Sequence, residues 1–101
     1  MNMNIQNLMK QAQKMQKDML KTQEELSNSL YTGESTFVSV VLNGNKEMKS
    51  IKIKTDEDLS DLDMEMIEDM IVVAFNDAVK KVDVDKEKKM SKYGQGLSGL
   101  M

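Results

Sequence analysis

The sequence contains no cysteine and no histidine among its 101 residues. These absences exclude disulfides, thiolate nucleophiles, zinc ligation by sulfur or imidazole, and the commonest general base near neutral pH. The acidic residues between positions 56 and 69 do not form a calcium loop of the EF-hand type. A loop starting at Asp56 has Asp61 where glycine is needed and Ile67 where the last ligand is needed. We therefore predict a protein that is not an enzyme and that uses no metal, no cofactor and no small-molecule substrate.

Long apolar runs are also absent, and the longest is Met70–Phe75. A membrane-spanning helix needs about 20 such residues, and the first residues lack the basic start and apolar stretch of a signal peptide. A chain that cannot form disulfides suits the reducing cytosol. With 40% hydrophobic and 31% charged residues, the composition is that of a single globular domain. We expect a cytoplasmic protein with no membrane partner.

Arginine and proline are missing too, so all 14 basic residues are lysines, and the net charge is −3. The charges are nevertheless arranged in blocks. Residues 10–21 carry four lysines against Asp18, and residues 46–54 carry four lysines against Glu47, so each block has a net charge of +3. Residues 56–69 carry eight acidic side chains and no base. That stretch would repel phosphate, so any contact with nucleic acid has to use the basic blocks.

Apolar residues recur at alternating spacings of three and four along the N-terminal segment, with Thr22 in the one polar position. The apolar positions are Ile5, Leu8, Ala12, Met15, Met19 and Leu26. No glycine or proline interrupts residues 1–32, so this heptad pattern predicts a helix from about Asn4 to Leu30. Lys10, Lys14, Lys17 and Lys21 repeat on the opposite side, and we call these four the lysine ridge. Taken alone, such a ridge is also typical of a solvated helix face.

After Gly33 the apolar pattern changes to period two, which predicts strands. Thr36, Val38, Val40 and Leu42 share one face of the first strand, and Met48 to Lys54 alternates in the same way. The Asn43-Gly44-Asn45 segment between them predicts a hairpin. A short extra strand around Tyr31 to Glu34 is possible, because Gly33 allows a reversal or a bulge.

A second helix is predicted from about Asp61, opened by a capping box of Ser60 and Asp63, to about Lys92. Its middle is apolar almost all round, and at roughly 45 to 50 Å it is too long for one small chain to enclose. We therefore predict a homodimer, the alternative being a monomer with overhanging helices. Residues 1–92 are expected to form one domain and the Gly-rich residues 93–101 a flexible tail.

Several stretches resemble the YbaB/EbfC family of bacterial nucleoid-associated proteins, over nearly the whole chain. They are Leu8–Gln16, Thr32–Ser35, Leu42–Gly44 with Ile51–Ile53, Met66–Ala78 and the tail Gly96–Met101. The string Ala-Phe-Asn-Asp-Ala at 74–78 is the most specific of them. The resemblance implies an α+β chain with a long N-terminal helix, a small antiparallel sheet of two to three strands and a long C-terminal helix. It also implies a tweezers-like homodimer that binds DNA without catalysis and associates with the nucleoid.

On this basis we expect duplex DNA as the partner. Binding should have little sequence specificity, because a chain without arginine and with four aromatic residues has few groups for reading base edges or stacking on bases. The predicted phosphate contacts are Lys10, Lys14, Lys17, Lys21, Lys86, Lys88, Lys89 and Lys92. For the last four, the alternative is that they only complement the negative end of the helix dipole. The hairpin lysines more plausibly protect a sheet edge.

The predicted dimer interface draws on the sheet and on the apolar middle of the second helix. It comprises Phe37, Val38, Val40, Leu42, Ile51, Ile53, Met70, Val73 and Phe75. A second function remains open at this point, namely a protein-interaction adaptor that uses the methionine-rich helices and the acidic segment 56–69 to grip another protein instead of DNA.

Overall fold

The computed structural model describes residues 4–54 and 63–93. In chain order, one long helix precedes a three-stranded sheet and a second long helix follows it. The elements are α1 (Ile5–Asn28), β1 (Leu30–Glu34), β2 (Val38–Asn43), β3 (Met48–Ile53) and α2 (Met64–Met90), followed by a short 3-10 helix (Ser91–Tyr93). The predicted α+β layout is confirmed. No helix in the described part of the chain is long and apolar enough to span a bilayer.

Helix α1 begins where its first turn is capped by Asn4, whose side-chain oxygen accepts a hydrogen bond from the Gln6 amide at 3.0 Å. It ends at Asn28, two residues before the predicted end, because Leu30 already pairs with Asn43 as the first residue of β1. The Ser29 hydroxyl donates to the Glu25 carbonyl at 2.8 Å and thereby satisfies one of the last free carbonyls of the helix.

The sheet is antiparallel in the order β1-β2-β3, so the possible extra strand near Tyr31 is confirmed as β1. The predicted hairpin joins β2 to β3, and a bulge shifts the pairing between Val41 and Leu42. Asn43 holds the turn, since its side-chain oxygen accepts the amides of Asn45 at 2.9 Å and Glu47 at 3.0 Å. Lys46 takes the left-handed conformation that such a turn requires, with φ at 65°.

Helix α2 begins at Met64, and its cap is Asp63, whose carboxylate accepts the Met66 amide at 2.7 Å. The predicted start near Asp61 is therefore wrong by three residues, because Asp63 itself has an extended backbone and makes the capping bond. The predicted capping residue Ser60 lies outside the described residues. At its other end the helix runs to Met90, close to the predicted Lys92.

The core lies between the sheet and α2. Val38, Val40 and Leu42 of β2 are buried against the small side chains Ala74 and Ala78 and against Val82. Gly33 of β1 lies so close to α2 that an added Cβ would meet the Ala74 carbonyl oxygen and the Ala78 amide nitrogen. This close approach explains why glycine occupies a strand position, where it otherwise costs stability.

Within the described residues, helix α1 is attached to the rest of the chain mainly near its C-terminal end. Leu26 is buried, and the Thr22 hydroxyl shares a 2.9 Å hydrogen bond with the Tyr93 hydroxyl. The Gly44 amide donates to the Ser27 carbonyl at 3.3 Å. The two helices are about 36 and 40 Å long, and the chain extends 76 Å along its long axis and only 20 and 14 Å along the others. Helix α1 therefore projects from the rest of the domain as an arm.

Tyr93 is the first residue of the predicted tail, and the structure places it in the 3-10 helix with its hydroxyl bonded to α1. The rest of the predicted tail, residues 94–101, lies outside the described residues.

Candidate nucleic-acid interface

The lysine ridge lies on the projecting arm. All four of its side chains are exposed, and the helical repeat keeps them on one side of α1. Asp18 is the one acidic residue between Lys10 and Lys21. The ridge is therefore a continuous positive surface about 16 Å long, which is the rise of the eleven steps from Lys10 to Lys21.

The lysines near the end of α2 differ from one another in their surroundings. Lys88 and Lys92 are exposed, Lys86 is half-buried, and Lys89 forms an ion pair with Asp85 at 3.1 Å. The Lys92 ammonium lies 5.2 Å from the centre of the Tyr93 ring, within the range of a cation–π contact. Lys89 is thus partly neutralised within the chain, whereas Lys88 and Lys92 extend toward solvent.

An open groove of about 330 Å³ brings the two ends of the chain together. Its lining residues are Gln11, Lys14, Met15, Asp18, Lys92 and Tyr93. The hydrogen bond between the Tyr93 and Thr22 hydroxyls holds the end of α2 against α1 beside this groove. Lys14 of the ridge and Lys92 of the C-terminal group thereby contribute to one concave surface, although 78 positions separate them in the sequence. Sequence periodicity could not reveal this juxtaposition.

Several acidic side chains along α2 are paired within the chain. Asp77 accepts the Glu34 amide at 3.1 Å and lies 3.2 Å from Lys81, and these contacts, the amide first, lower the pKa of its carboxyl. The Tyr31 hydroxyl donates to Asp85 at 2.6 Å and, together with Lys89, lowers the pKa of that carboxyl. Such paired carboxylates repel phosphate less than free ones do.

Lys46 and Lys81, which are not among the predicted phosphate contacts, form bonds inside the domain. Lys46 of the hairpin turn pairs with Asp83 of α2 at 2.9 Å, and Lys81 donates to the Thr32 carbonyl at 2.7 Å. Both tie the sheet to α2, and Lys46 therefore does more than protect an edge. Lys49, Lys52 and Lys54 on and after the edge strand β3 are exposed, as edge protection requires. Among residues 4–54 and 63–93, no cluster of three or more acidic residues could hold a metal ion.

The residues predicted for a dimer interface fall into three groups. Val38, Val40 and Leu42 are covered by α2 within one chain, so their side chains are not at the surface. Phe37, Met70 and Phe75 are half-buried. Ile51, Ile53 and Val73 are exposed. Contact with a second copy stays a prediction for all of them, and only the last two groups offer a surface for it.

Apolar side chains are exposed along β3 and on the adjacent side of α2. Ile51 and Ile53 pair with Val40 and Val38 and therefore lie on the same face of the sheet as the core, yet they are 44% and 36% exposed because α2 packs mainly over β1 and β2. Val72 is 57% exposed and lies on the same side of α2 as Asp83, which is further along the helix. Because Asp83 pairs with Lys46 in the hairpin turn between β2 and β3, this side of α2 borders β3. We call the surface of Met48, Ile51, Ile53 and Val72 the β3 flank.

Comparison with known proteins matches nearly the whole chain to one family. The sequence model of the YbaB/EbfC DNA-binding family matches residues 1–97. A nucleoid-associated protein of Enterococcus faecalis is 40% identical over 100 residues, covering 96% of this chain and 94% of that protein. One from Xylella fastidiosa is 46% identical over 98 residues, covering 94% and 89%.

A solved structure has the same fold. The crystal structure of an uncharacterized protein from Helicobacter pylori superposes with a TM-score of 0.69, covering 92% of this chain and all of that one, at 24% identity. At that identity the likeness speaks for the fold alone.

Proposed function

The chain belongs to the YbaB/EbfC DNA-binding family, and from that premise we propose that it binds duplex DNA as a homodimer through the lysine ridge of each arm, with little sequence specificity and without catalysis. By the same proposal it acts at the nucleoid, where it influences DNA organisation and gene expression, in keeping with the names of its relatives. It needs no cofactor for this activity.

The observation that carries the proposal is the placement of the ridge. Four lysines lie on the exposed side of a helix that projects beyond the sheet, so a duplex can approach them without contacting the acidic N-terminal part of α2. Lysine ammonium groups attract phosphate as point charges and do not read base edges bidentately as arginine does. Binding through them is therefore governed by counterion release and depends only weakly on sequence.

Lys14 and Lys92 extend this surface around the groove. Because the groove contains both lysines and the single carboxylate of Asp18, its net charge is positive. The exposed Lys88 precedes Lys92 by four residues and adds to the same end of the molecule. Lys86 and Lys89 belong to the proposal as secondary contacts, since the first is half-buried and the second is paired with Asp85.

Dimerisation is proposed to occur through the β3 flank. The apolar side chains of the flank are exposed in a single chain although they adjoin its core, and among the described strands β3 pairs with β2 alone, so its other edge is available for pairing. Burial of the flank in a two-fold pair would cover both copies with the same residues. The partly covered Phe37 and Phe75 lie nearer this surface, whereas Met70 and the exposed Val73 precede Asp77 on the side of α2 that bonds to β1.

The test is a titration of random duplex DNA at a series of salt concentrations. The variant Lys10→Gln/Lys17→Gln removes two ridge lysines, and Lys49→Gln/Lys52→Gln removes two exposed lysines from β3 with the same change in net charge. Each lost phosphate contact contributes about 0.9 to the log-log salt slope, so at 0.1 M salt the ridge variant should bind about 60-fold more weakly per engaged arm, while the β3 variant stays close to wild type.

Equal losses in the two variants would mean that total charge, and not the ridge, governs binding. Absence of any binding at low salt would refute the proposal outright. The dimer is tested separately by sedimentation of Ile51→Gln, which should dissociate at concentrations where the wild type stays dimeric. If the wild type sediments as a monomer at micromolar concentration, the proposed interface is wrong.

A further inference from the structure

The apolar side of the arm is exposed in a single chain. It consists of Ile5, Leu8, Ala12, Met15 and Met19, which we call the arm stripe. Every residue from Ile5 to Asp18 is exposed, with Ile5, Leu8 and Met15 exposed to 71%, 45% and 55%, and Met19 at the end of the stripe is half-buried. The sheet and α2 contact α1 mainly near its C-terminal end, so the chain's own core does not cover the stripe.

The spacing of the stripe is that of a helix-pairing seam. Alternating steps of three and four keep the apolar residues on one line along α1, as in the a and d positions of a coiled coil. Sheet packing or a globular core would favour a wider apolar face than this. The side chains suit the narrow seam because methionine adapts to an irregular partner and Ala12 permits close approach at the centre.

The residues beside the seam indicate that the partner helix is another copy of the same arm. Of the positions flanking the stripe, Met9, Gln11 and Gln16 are neutral and Asp18 is the one with a charge, while the ridge lysines lie on the far side of the helix. Two identical arms can therefore meet along their stripes without bringing like charges together. A surface of this kind is self-complementary, which a two-fold contact requires.

We propose that the arm stripe is a second interface between copies of this chain, through which arms of different dimers pair while their lysine ridges face DNA on the outside. The arm tip and the β3 flank lie far apart along the 76 Å axis, because α1 is attached at the C-terminal end of α2 and projects away from it. One molecule thus offers the two contacts to different partners. The DNA-bridging consequence rests on the proposed function, but the pairing of arms does not.

The pairing should be weak for a single pair of arms. The stripe spans about 21 Å, or two heptads, and sustained coiled coils use three or four. A dimer has two arms, and DNA holds several dimers close together, so the effective concentration on DNA is far above that in solution. Assembly should therefore rise with protein concentration and be strengthened by DNA long enough to bind several dimers.

The chain's lack of cysteine allows a clean cross-linking test. Single variants Leu8→Cys, Ala12→Cys and Met15→Cys report on the stripe, and Gln13→Cys, exposed on another side of the same helix, is the matched control. Under mild oxidation, a parallel pair should cross-link at all three stripe positions and an antiparallel pair mainly at Ala12→Cys, near the centre of the stripe. The Gln13→Cys control should give at least tenfold less cross-linked chain.

A second measurement shows which copies are joined. Sedimentation of the wild type should show species larger than a dimer as concentration rises, and Ile5→Gln/Leu8→Gln, two stripe positions outside the groove, should remain a dimer with its affinity for a short duplex unchanged. Cross-links no stronger than the control, or stripe cross-links confined to a species of dimer mass, overturn the proposal. So does a cross-link within one chain between Leu8→Cys and Leu100→Cys, because the tail would then cover the stripe. Loss of DNA binding in ridge variants with arm cross-linking intact refutes neither proposal.

Discussion

The contact of Gly33 with α2 makes a sharp prediction about stability. In Gly33→Ala, the new methyl group would meet the Ala74 carbonyl oxygen and the Ala78 amide nitrogen, and it would lie 2.7 Å from the Ala78 Cβ. Two of these three atoms are backbone atoms of a helix, so no side-chain rotation can relieve the clash. Strand β1 would have to move away from α2.

The cost of that movement follows from what it disrupts. Overpacking in a well-packed core costs about 1 to 3 kcal/mol. Displacement of β1 would also lengthen the bonds that join it to α2, among them the Glu34 amide to Asp77 and Lys81 to the Thr32 carbonyl. We expect a loss of about 3 kcal/mol in the free energy of unfolding. For a chain of this size, that corresponds to a fall in Tm of about 12 to 24 °C.

The assay is urea unfolding followed by far-UV circular dichroism, with all variants at one protein concentration. Thr36→Ala, an exposed change in the turn after β1, is the control and should stay within about 0.5 kcal/mol of wild type. Ala78→Gly in the Gly33→Ala background should not restore stability, because the backbone contacts remain. If Gly33→Ala alone unfolds within about 0.5 kcal/mol of wild type, the close packing of β1 on α2 is refuted.

Two further predictions concern the polar contacts between β1 and α2. Burial, and then the hydrogen bond to Asp85, raise the pKa of Tyr31 to about 12. The contribution of Tyr31 to stability is therefore fully present below pH 10 and is lost as the pH rises toward 12. Tyr31→Phe should cost about 1 to 2 kcal/mol at pH 7 and remove the tyrosinate absorbance that develops near pH 12. The pKa of Asp77 lies below its ordinary value of 3.8, so its contribution is present above about pH 4 and is lost as the pH falls through the lowered pKa. Asp77→Asn should therefore lower the urea midpoint at pH 7 and flatten its decline between pH 5 and pH 2, and a decline as steep as that of wild type would contradict the assignment.

The elements of this fold follow from local features of the chain. The heptad spacing before Leu26, the alternation through Val38 and Val40, and the Asn43-Gly44 turn each specify an element over a few neighbouring residues. These are short-range effects of backbone conformation and side-chain spacing. Even the uncertain strand near Tyr31 was indicated by Gly33. The start of α2 was misplaced because Ser60 and Asp63 can each cap a helix, and their order in sequence does not decide between them.

Which surfaces remain exposed was decided by tertiary packing alone. The pattern of β2 and β3 is equally apolar, yet α2 covers Val40 and leaves its neighbour Ile51 in water, so part of the expected dimer surface became core. Lys14 and Lys92 share a groove because Tyr93 bonds to Thr22, a contact across 71 positions. Periodicity fixes which side of a helix or strand a residue occupies. Only the docking of one element on another fixes which side is buried, because that depends on contacts between residues far apart in the chain.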